Sequence, residues 1–424
     1  MIFHPIYGII CGIMFEFLSK LSKRGMKRKN EPVVRARPDH CISRKNIDRN
    51  ALKVLYRLSS LGYVAYLVGG GVRDLLLGRA PKDFDVGTDA RPNDVKRAFR
   101  NCFLVGKRFR LAHVCFGPGK VIETATFRRN SQTVGEIIEH ASEGPFEDNT
   151  FGTPETDANR RDFTVNGLFY DIKTFAIIDW VGGLKDLEDK VIRSIGDPMI
   201  RFREDPVRMM RAIKFSSRLD FKIERKTHKA IKELHSCILT ASIPRLCEEI
   251  FRLFSFGSSE KAFRMMYEYG LMGDLMPDLA KFITEDGGKN SETWKLLASL
   301  DKYEKALLEK RGEGVSNGVR AAVLYTAMAK KLGSRESLGT FSKSLKIPKQ
   351  TYFSAVLFID SLKRLSVPPQ KNKRRFVHNR DFPSILDYNR IMSDAGFGDK
   401  KVLVQWEKAY NQSSKKEQGE KHER

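Results

Sequence analysis

Residues Tyr66 to Asp85 read YLVGGGVRDLLLGRAPKDFD, a double glycine followed by a short apolar helix and then two aspartates one residue apart. The apolar run Tyr63 to Val68 before it predicts a buried strand, and Val72 to Leu77 predicts a turn or two of helix. A strand that delivers Gly69 and Gly70 into a helix start lets backbone N–H groups approach a phosphate, where the helix dipole favours negative charge. Asp83 and Asp85 stand at i and i+2, a spacing that puts both carboxylates on one face of a strand. Converging carboxylates need a shared proton or a divalent cation.

Outward from this stretch, the order is helix, strand, helix, strand, helix, then three strands. Asp48 to Leu61 predicts a helix capped by Asn46 or Asp48, with Leu52, Leu55, Tyr56 and Leu58 at helical spacing. Arg91-Pro92-Asn93 opens another helix through Arg100. Strands are predicted at Phe103 to Val105, Leu111 to Phe116 and Val121 to Phe127, the last two joined through Gly-Pro-Gly at 117–119. Such an order describes a small mixed sheet with helices on one side, and it brings Glu123 beside Asp83 and Asp85. Three carboxylates on adjacent strands can hold two Mg2+ ions, one acting on an attacking hydroxyl and the other on a departing pyrophosphate. Phosphoryl or nucleotidyl transfer needs little more from a protein than positioning and charge neutralisation. A lone Asp-x-Asp reads more readily as a solvated acidic turn. The glycines before it and the acidic strand after it favour the metal pair.

Composition sets the partner class. The 424 residues are 41% hydrophobic and 30% charged, enough for more than one buried core. Lys and Arg number 76 against 52 Asp and Glu, a net charge of +24, which points to a polyanion such as nucleic acid ahead of an acidic membrane surface. The six cysteines are scattered without zinc spacing and read as reduced, buried thiols of a cytoplasmic protein. Residues 1–18 are largely apolar, but Lys20, Lys23 and Arg24 follow the run instead of preceding it, the wrong order for a cleaved signal. That segment reads either as an interfacial helix making peripheral membrane contact or as sequence upstream of a start at Met26.

Three further motifs carry a family resemblance. The GGGVRD stretch with Asp83 and Asp85 resembles the nucleotidyltransferase core shared by bacterial poly(A) polymerases and CCA-adding tRNA nucleotidyltransferases. RRDFTVN at 160–166 resembles the family motif that contacts ribose and triphosphate, and EDPVR at 204–208, with Arg211 after it, resembles the motif that reads the base. LVGKRFRLAHV at 104–114 is similar to the poly(A) polymerase signature, where CCA-adding relatives carry a glycine-bearing loop. Gly71, Gly167, Met210 and Lys214 stand where relatives often carry other residues, which bears on details of nucleotide fit and leaves the carboxylates untouched.

The resemblance implies an α+β fold, a small mixed β-sheet nucleotidyltransferase head followed by an all-α neck, body and tail. Its segments are an N-terminal extension (1–37), the catalytic head (38–195), a nucleotide-selecting neck (196–258), an RNA-binding body and tail (259–411) and a charged, disordered end (412–424). It implies a monomer that adds AMP from ATP to RNA 3′ ends, with CCA addition to tRNA as the alternative and a non-catalytic RNA-binding protein as a third reading. Asp83, Asp85 and Glu123 would hold Mg2+. Gly69, Gly70 and Arg73 would seat the triphosphate, with Arg161, Asp162 and Asn166 on ribose and phosphates. Asp205 and Arg208 would select adenine, one offering acceptors and the other donors at helical i, i+3 spacing, with Arg211 nearby. An ordinary helix ion pair would have the same spacing. Lys107, Arg108 and Arg110, interleaved with Phe109, suit an RNA backbone and a stacked base, and a basic loop would look the same. His113 lacks a metal-spaced partner and reads as a strand residue.

Overall fold

The computed structural model describes residues 31–106, 110–117, 119–129, 151–370 and 374–422, with side chains described to residue 413. The readings for residues 1–30, for Lys107, Arg108 and Phe109, and for most of the 371–375 basic cluster fall outside the described residues. Two compact units divide between Asp189 and Lys190.

The first unit is built on an eight-stranded sheet. Its strands are β1 (Val33–Arg35), β2 (Ala65–Val68), β3 (Asp85–Thr88), β4 (Cys102–Val105), β5 (Leu111–Cys115), β6 (Val121–Thr126), β7 (Leu168–Asp171) and β8 (Ile177–Asp179). They lie in the order β1-β8-β7-β2-β3-β6-β5-β4. Only β3 and β6 run parallel; every other pair is antiparallel, so the sheet is mixed.

Helices cover one face of this sheet. α1 (Arg49–Ser60) starts where the Asp48 carboxylate accepts hydrogen bonds from the backbone N–H of Asn50 and Ala51. It buries Ala51, Val54, Leu55 and Leu58, whereas Tyr56 stays exposed and accepts a hydrogen bond from Arg44. The apolar stripe is therefore rotated from the one the leucine spacing suggests, with Ala51 and Val54 taking the places expected of Leu52 and Tyr56. α2 (Gly70–Leu76) follows β2, and α3 (Pro92–Ala98) packs on β4, β5 and β6. On the opposite face the inner strands are closed by Val68, Phe127, Phe169 and Ala158 of α4 (Pro154–Arg160), with Tyr66, Ile178 and Trp180 packed around them. Gly87 is required there, since a Cβ on it would lie 2.7 Å from the Phe127 ring and 3.0 Å from Val68. α5 (Gly183–Glu188) completes the unit, its start held by the Asp179 carboxylate, which accepts from the N–H groups of Val181, Gly183 and Leu184.

The second unit is helical apart from a parallel pair, β9 (Val191–Ile192) with β10 (Lys222–Ile223). Its first helices are α6 (Pro198–Glu204) and α7 (Val207–Leu219). The sequence predicts one helix over 204–218; the chain instead breaks at Asp205, because Pro206 disfavours helical geometry in the residue before it. Then come α8 (Arg225–Leu234), α9 (Ile243–Leu253), α10 (Ser259–Glu268), α11 (Leu271–Leu275) and α12 (Pro277–Glu285). The body contains α13 (Glu292–Arg311), α14 (Asn317–Leu332), α15 (Ser334–Leu345), α16 (Lys349–Leu365), α17 (Arg374–Val377), α18 (Phe382–Asp394) and α19 (Lys400–His422). α14 is buried along almost its whole length and forms the centre against which α13, α15, α16 and α18 pack. α19 continues past Gln412, where charge density alone suggests disorder; Lys, Glu and Gln are good helix formers, so a charged run can extend a helix that is already anchored.

The thiols are free at Cys41, Cys102, Cys115, Cys237 and Cys247, but only Cys102 and Cys247 are buried and Cys41 is exposed. Among the described residues no helix is long and apolar enough to cross a membrane.

Candidate active site

The register of the sheet positions the carboxylates. β3 and β6 pair Val86 with Thr124, which sets Asp85 beside Glu123 one residue earlier on the same face. Asp83 lies just before β3, exposed, so the aspartates do not share a strand as their spacing suggests. α2 backs this approach: Gly71 leaves room for the Asp83 carbonyl, which would lie 3.4 Å from a Cβ there.

Burial pushes the Asp85 carboxyl up to about 6, with Glu123 and Asp83 adding repulsion and Arg161 opposing it. Among the described residues no group of three or more His, Cys, Asp or Glu side chains is arranged to hold a metal ion by itself. Glu123 is 53% exposed and its carboxylate lies 3.8 Å from His113 Nε2 on β5. This oxygen-only, self-repelling set suits Mg2+, which takes one or two protein carboxylates and completes its shell with water and substrate phosphates.

The repulsion has a measurable sign. An unfolded Asp titrates near 4 and Asp85 in the fold at about 6. Between those values the folded chain binds more protons, so stability falls as pH rises. With chelator present, Asp85→Asn is expected to raise the melting temperature at pH 7.5 and to change it little at pH 4.5. Equal melting curves for both proteins at both pH values would contradict the raised Asp85 carboxyl, which burial and, after it, the neighbouring carboxylates produce.

Behind the carboxylates, two motifs 93 residues apart are joined by one hydrogen-bonded relay. Arg73 is 2% exposed; its Nε and Nη2 donate to Asp74 Oδ1 at 2.8 and 2.7 Å, and its Nη1 donates to Asn166 Oδ1 at 2.5 Å. Asn166 Nδ2 in turn donates to Asp162 Oδ1 at 3.1 Å, which also accepts from the Phe163 N–H. Arg73 is thus turned into the fold, away from solvent. Gly69 caps α2 at φ 73°, and a Cβ there would lie 2.9 Å from Arg161 Nη1, so glycine serves both the backbone turn and the approach of that guanidinium. Arg161 donates to Asp157 at 2.9 Å and to the Asn166 carbonyl at 3.4 Å, over the Phe169 ring at 5.1 Å. Gly70 is the first residue of α2 and is half-buried beside Gly69.

In the second unit, Asp205 caps the C-terminus of α6 and accepts from Arg245 of α9 at 2.6 Å. Arg208 Nε stands 3.9 Å from Asp205 Oδ2, and its Nη1 donates to the Arg201 carbonyl at 3.4 Å. The other Asp205 oxygen, Oδ1, is buried and has no hydrogen-bond partner among the described residues. Arg211 lies over the Phe215 ring at 5.6 Å and 4.0 Å from Glu249, which also takes Lys214 at 2.8 Å and Arg252 at 2.9 Å. Arg110 is exposed where the chain enters β5.

Sequence reasoning missed Asp74, Asp157, Arg245 and Glu249. The first two lie inside or just before the quoted motifs, and i, i+4 spacing to Arg161 could have flagged Asp157. Arg245 and Glu249 face their partners only through packing of α9 on α7, which no local pattern announces.

The fold is that of a nucleotidyltransferase head carrying a helical second unit, as the solved CCA-adding enzyme of Bacillus stearothermophilus in complex with CTP shows by likeness: TM-score 0.66 at 26% identity, covering 85% of this chain and 82% of that one. Residues 65–193 match the family model for the poly A polymerase head domain, and residues 220–283 match one described as "Probable RNA and SrmB- binding site of polymerase A". Through this head the chain is similar to poly(A) polymerases, and it spans less than two thirds of the length of the curated relatives it matches. It is 48% identical to poly(A) polymerase I of Salmonella typhi over 298 residues, 69% of this chain and 62% of that relative's length. The CCA-adding enzyme of Bacillus pumilus is 36% identical over 263 residues, 62% of this chain and 63% of that enzyme.

Proposed function

We propose that this chain is a template-independent nucleotidyltransferase that adds AMP from ATP to RNA 3′ ends, with Mg2+ as cofactor. The observation that carries the reading is the β3–β6 register that sets Asp85 beside Glu123 with Asp83 just before β3, in the unit that also holds the Arg73–Asn166–Asp162 relay. Carboxylates gathered on neighbouring strands suit cations that arrive with a polyphosphate.

The RNA 3′-hydroxyl attacks the α-phosphate of ATP and pyrophosphate leaves. Asp83, Asp85 and Glu123 would hold Mg2+, which supplies a lowered hydroxyl pKa and neutralises the leaving group. The backbone at Gly69 and Gly70 approaches the triphosphate, with Arg161, aligned by Asp157, as its cation. Arg73 acts through Asn166 to fix Asp162 toward the ribose. Asp205 and Arg208 read the base: the carboxylate of Asp205 offers acceptors to the adenine amino group, and Arg208 donates to a ring nitrogen. Arg211 flanks this pair. Lys107, Arg108 and Arg110 take the RNA backbone, and the protein works as a cytoplasmic monomer.

Identity to poly(A) polymerase I favours AMP tailing. The likeness to a solved CCA-adding enzyme keeps CCA addition as the second reading. Incubation with ATP, CTP and either generic RNA or tRNA lacking its CCA end separates them: a lengthening A tract on generic RNA supports the proposal, and a defined CCA end confined to tRNA supports the second. Asp205→Ala is expected to reduce discrimination of ATP over CTP by about tenfold to a hundredfold, the scale of one specific base contact. Unchanged discrimination, measured by competing nucleotides in one reaction, would remove Asp205 from base selection.

A further inference from the structure

On one face of the outer sheet, Asp85 and Glu123 continue into a straight row. Glu123 pairs across β6–β5 with His113, and His113 pairs across β5–β4 with Phe103. Directly opposed residues of neighbouring strands share a face, so the carboxylates, the imidazole and the phenyl ring lie side by side. The next row carries Val105 opposite Leu111. α3 covers the other face of these strands, and the Phe127 cluster closes this face only over the inner strands. Phe103 is left 63% exposed, Val105 48% and Val121 41%, while His113 is 27% exposed between them. Water-exposed phenyl and valine groups in line with an active centre call for an occupant.

We propose that this open face of β4, β5 and β6 is the track of the RNA strand behind its reacting 3′ end, with Phe103 as a stacking platform for an upstream base. The inference rests on the nucleotidyl-transfer reading and extends it to the primer. Strands lie ~4.8 Å apart, which sets Phe103 ~10 Å from Glu123, about three stacked nucleotides at ~3.4 Å each. The exposed cations Arg110 and Lys120 immediately precede β5 and β6. Because those strands are antiparallel, the two cations stand at opposite ends of them, in phase with the α3-covered face, where they can meet only the RNA backbone that leaves the patch past the rim of the sheet.

The test reads binding without turnover. In chelator, an oligoadenylate primer carrying 2-aminopurine at the third position from its 3′ end is titrated with wild-type chain, Phe103→Ala and Phe103→Trp. The alanine variant should bind about fivefold to a hundredfold more weakly, the range for losing one base–aromatic stack, and lose the fluorescence quench; the tryptophan variant should retain both. An abasic site at that position should weaken wild-type binding and leave Phe103→Ala unaffected. Wild-type affinity in Phe103→Ala, or an abasic penalty persisting in it, overturns the proposal. So does unchanged RNA binding together with loss of concentration-dependent sedimentation, which would mark the patch as an interface between copies. Primer binding through Phe103 in a chain that never incorporates AMP would support this track and overturn the catalytic reading instead.

Discussion

Asp83→Ala is expected to lower AMP incorporation by about a thousandfold or more while leaving RNA affinity and melting temperature nearly unchanged. Charge stabilisation by a bound metal is worth several kcal/mol, and each 1.36 kcal/mol is tenfold in rate. Asp83 is the informative carboxylate to remove. It is exposed and precedes β3, so its loss opens no cavity and breaks no ladder bond. It also adds to the repulsion on Asp85, so its removal should not destabilise the fold. Incorporation of labelled ATP into an RNA oligomer under single-turnover conditions measures the effect. Rates within a few-fold of wild type would end the metal assignment.

The second large effect concerns stability. Arg73→Met keeps the volume of a 2%-exposed side chain and deletes its hydrogen bonds to Asp74 and Asn166. Breaking one side of a buried ion pair costs about 3–5 kcal/mol, a large share of the ~5–15 kcal/mol that holds a domain folded. Asp74, itself 3% exposed, then stays behind with its charge. Urea denaturation followed by tryptophan fluorescence should show the transition that reports the Trp180 environment moving to lower urea. Arg73→Lys should recover part of the loss, because an ammonium restores the charge without the planar fork. An unshifted transition in Arg73→Met would show that the relay joining the two motifs is not a structural support.

These expectations separate what was legible in the sequence from what was not. The glycines, Asp83, Asp85 and the RRDFTVN motif were readable because their chemistry is local: a glycine at positive φ, alternating strand residues and i, i+3 spacing are all set within a few residues. The same locality explains why α1 and the strands from Ala65 to Thr126 fall close to their predicted spans, whereas β1 (Val33–Arg35), a short basic segment without periodicity, takes its strand form only from pairing with β8. The errors lie where a neighbour in sequence overrules a pattern. Pro206 breaks the helix in which Asp205 and Arg208 were expected to share a face, and Asp83 stops short of the strand that holds Asp85.

By itself the sequence determined the mixed head, the helical remainder, the glycines at the start of α2 and the candidate carboxylates, since hydrophobic period and turn chemistry specify local structure and residue type specifies available chemistry. Only the tertiary structure decided which groups act together. Arg73 reads in the sequence as a phosphate ligand, yet packing buries it as the link between Asp74 and Asn166. His113 and Phe103 read as ordinary strand residues until the register of β4, β5 and β6 sets them in line with Glu123. Strand register is fixed by pairing between distant segments and by the burial of one sheet face, and neither is written in the order of residues along a single strand.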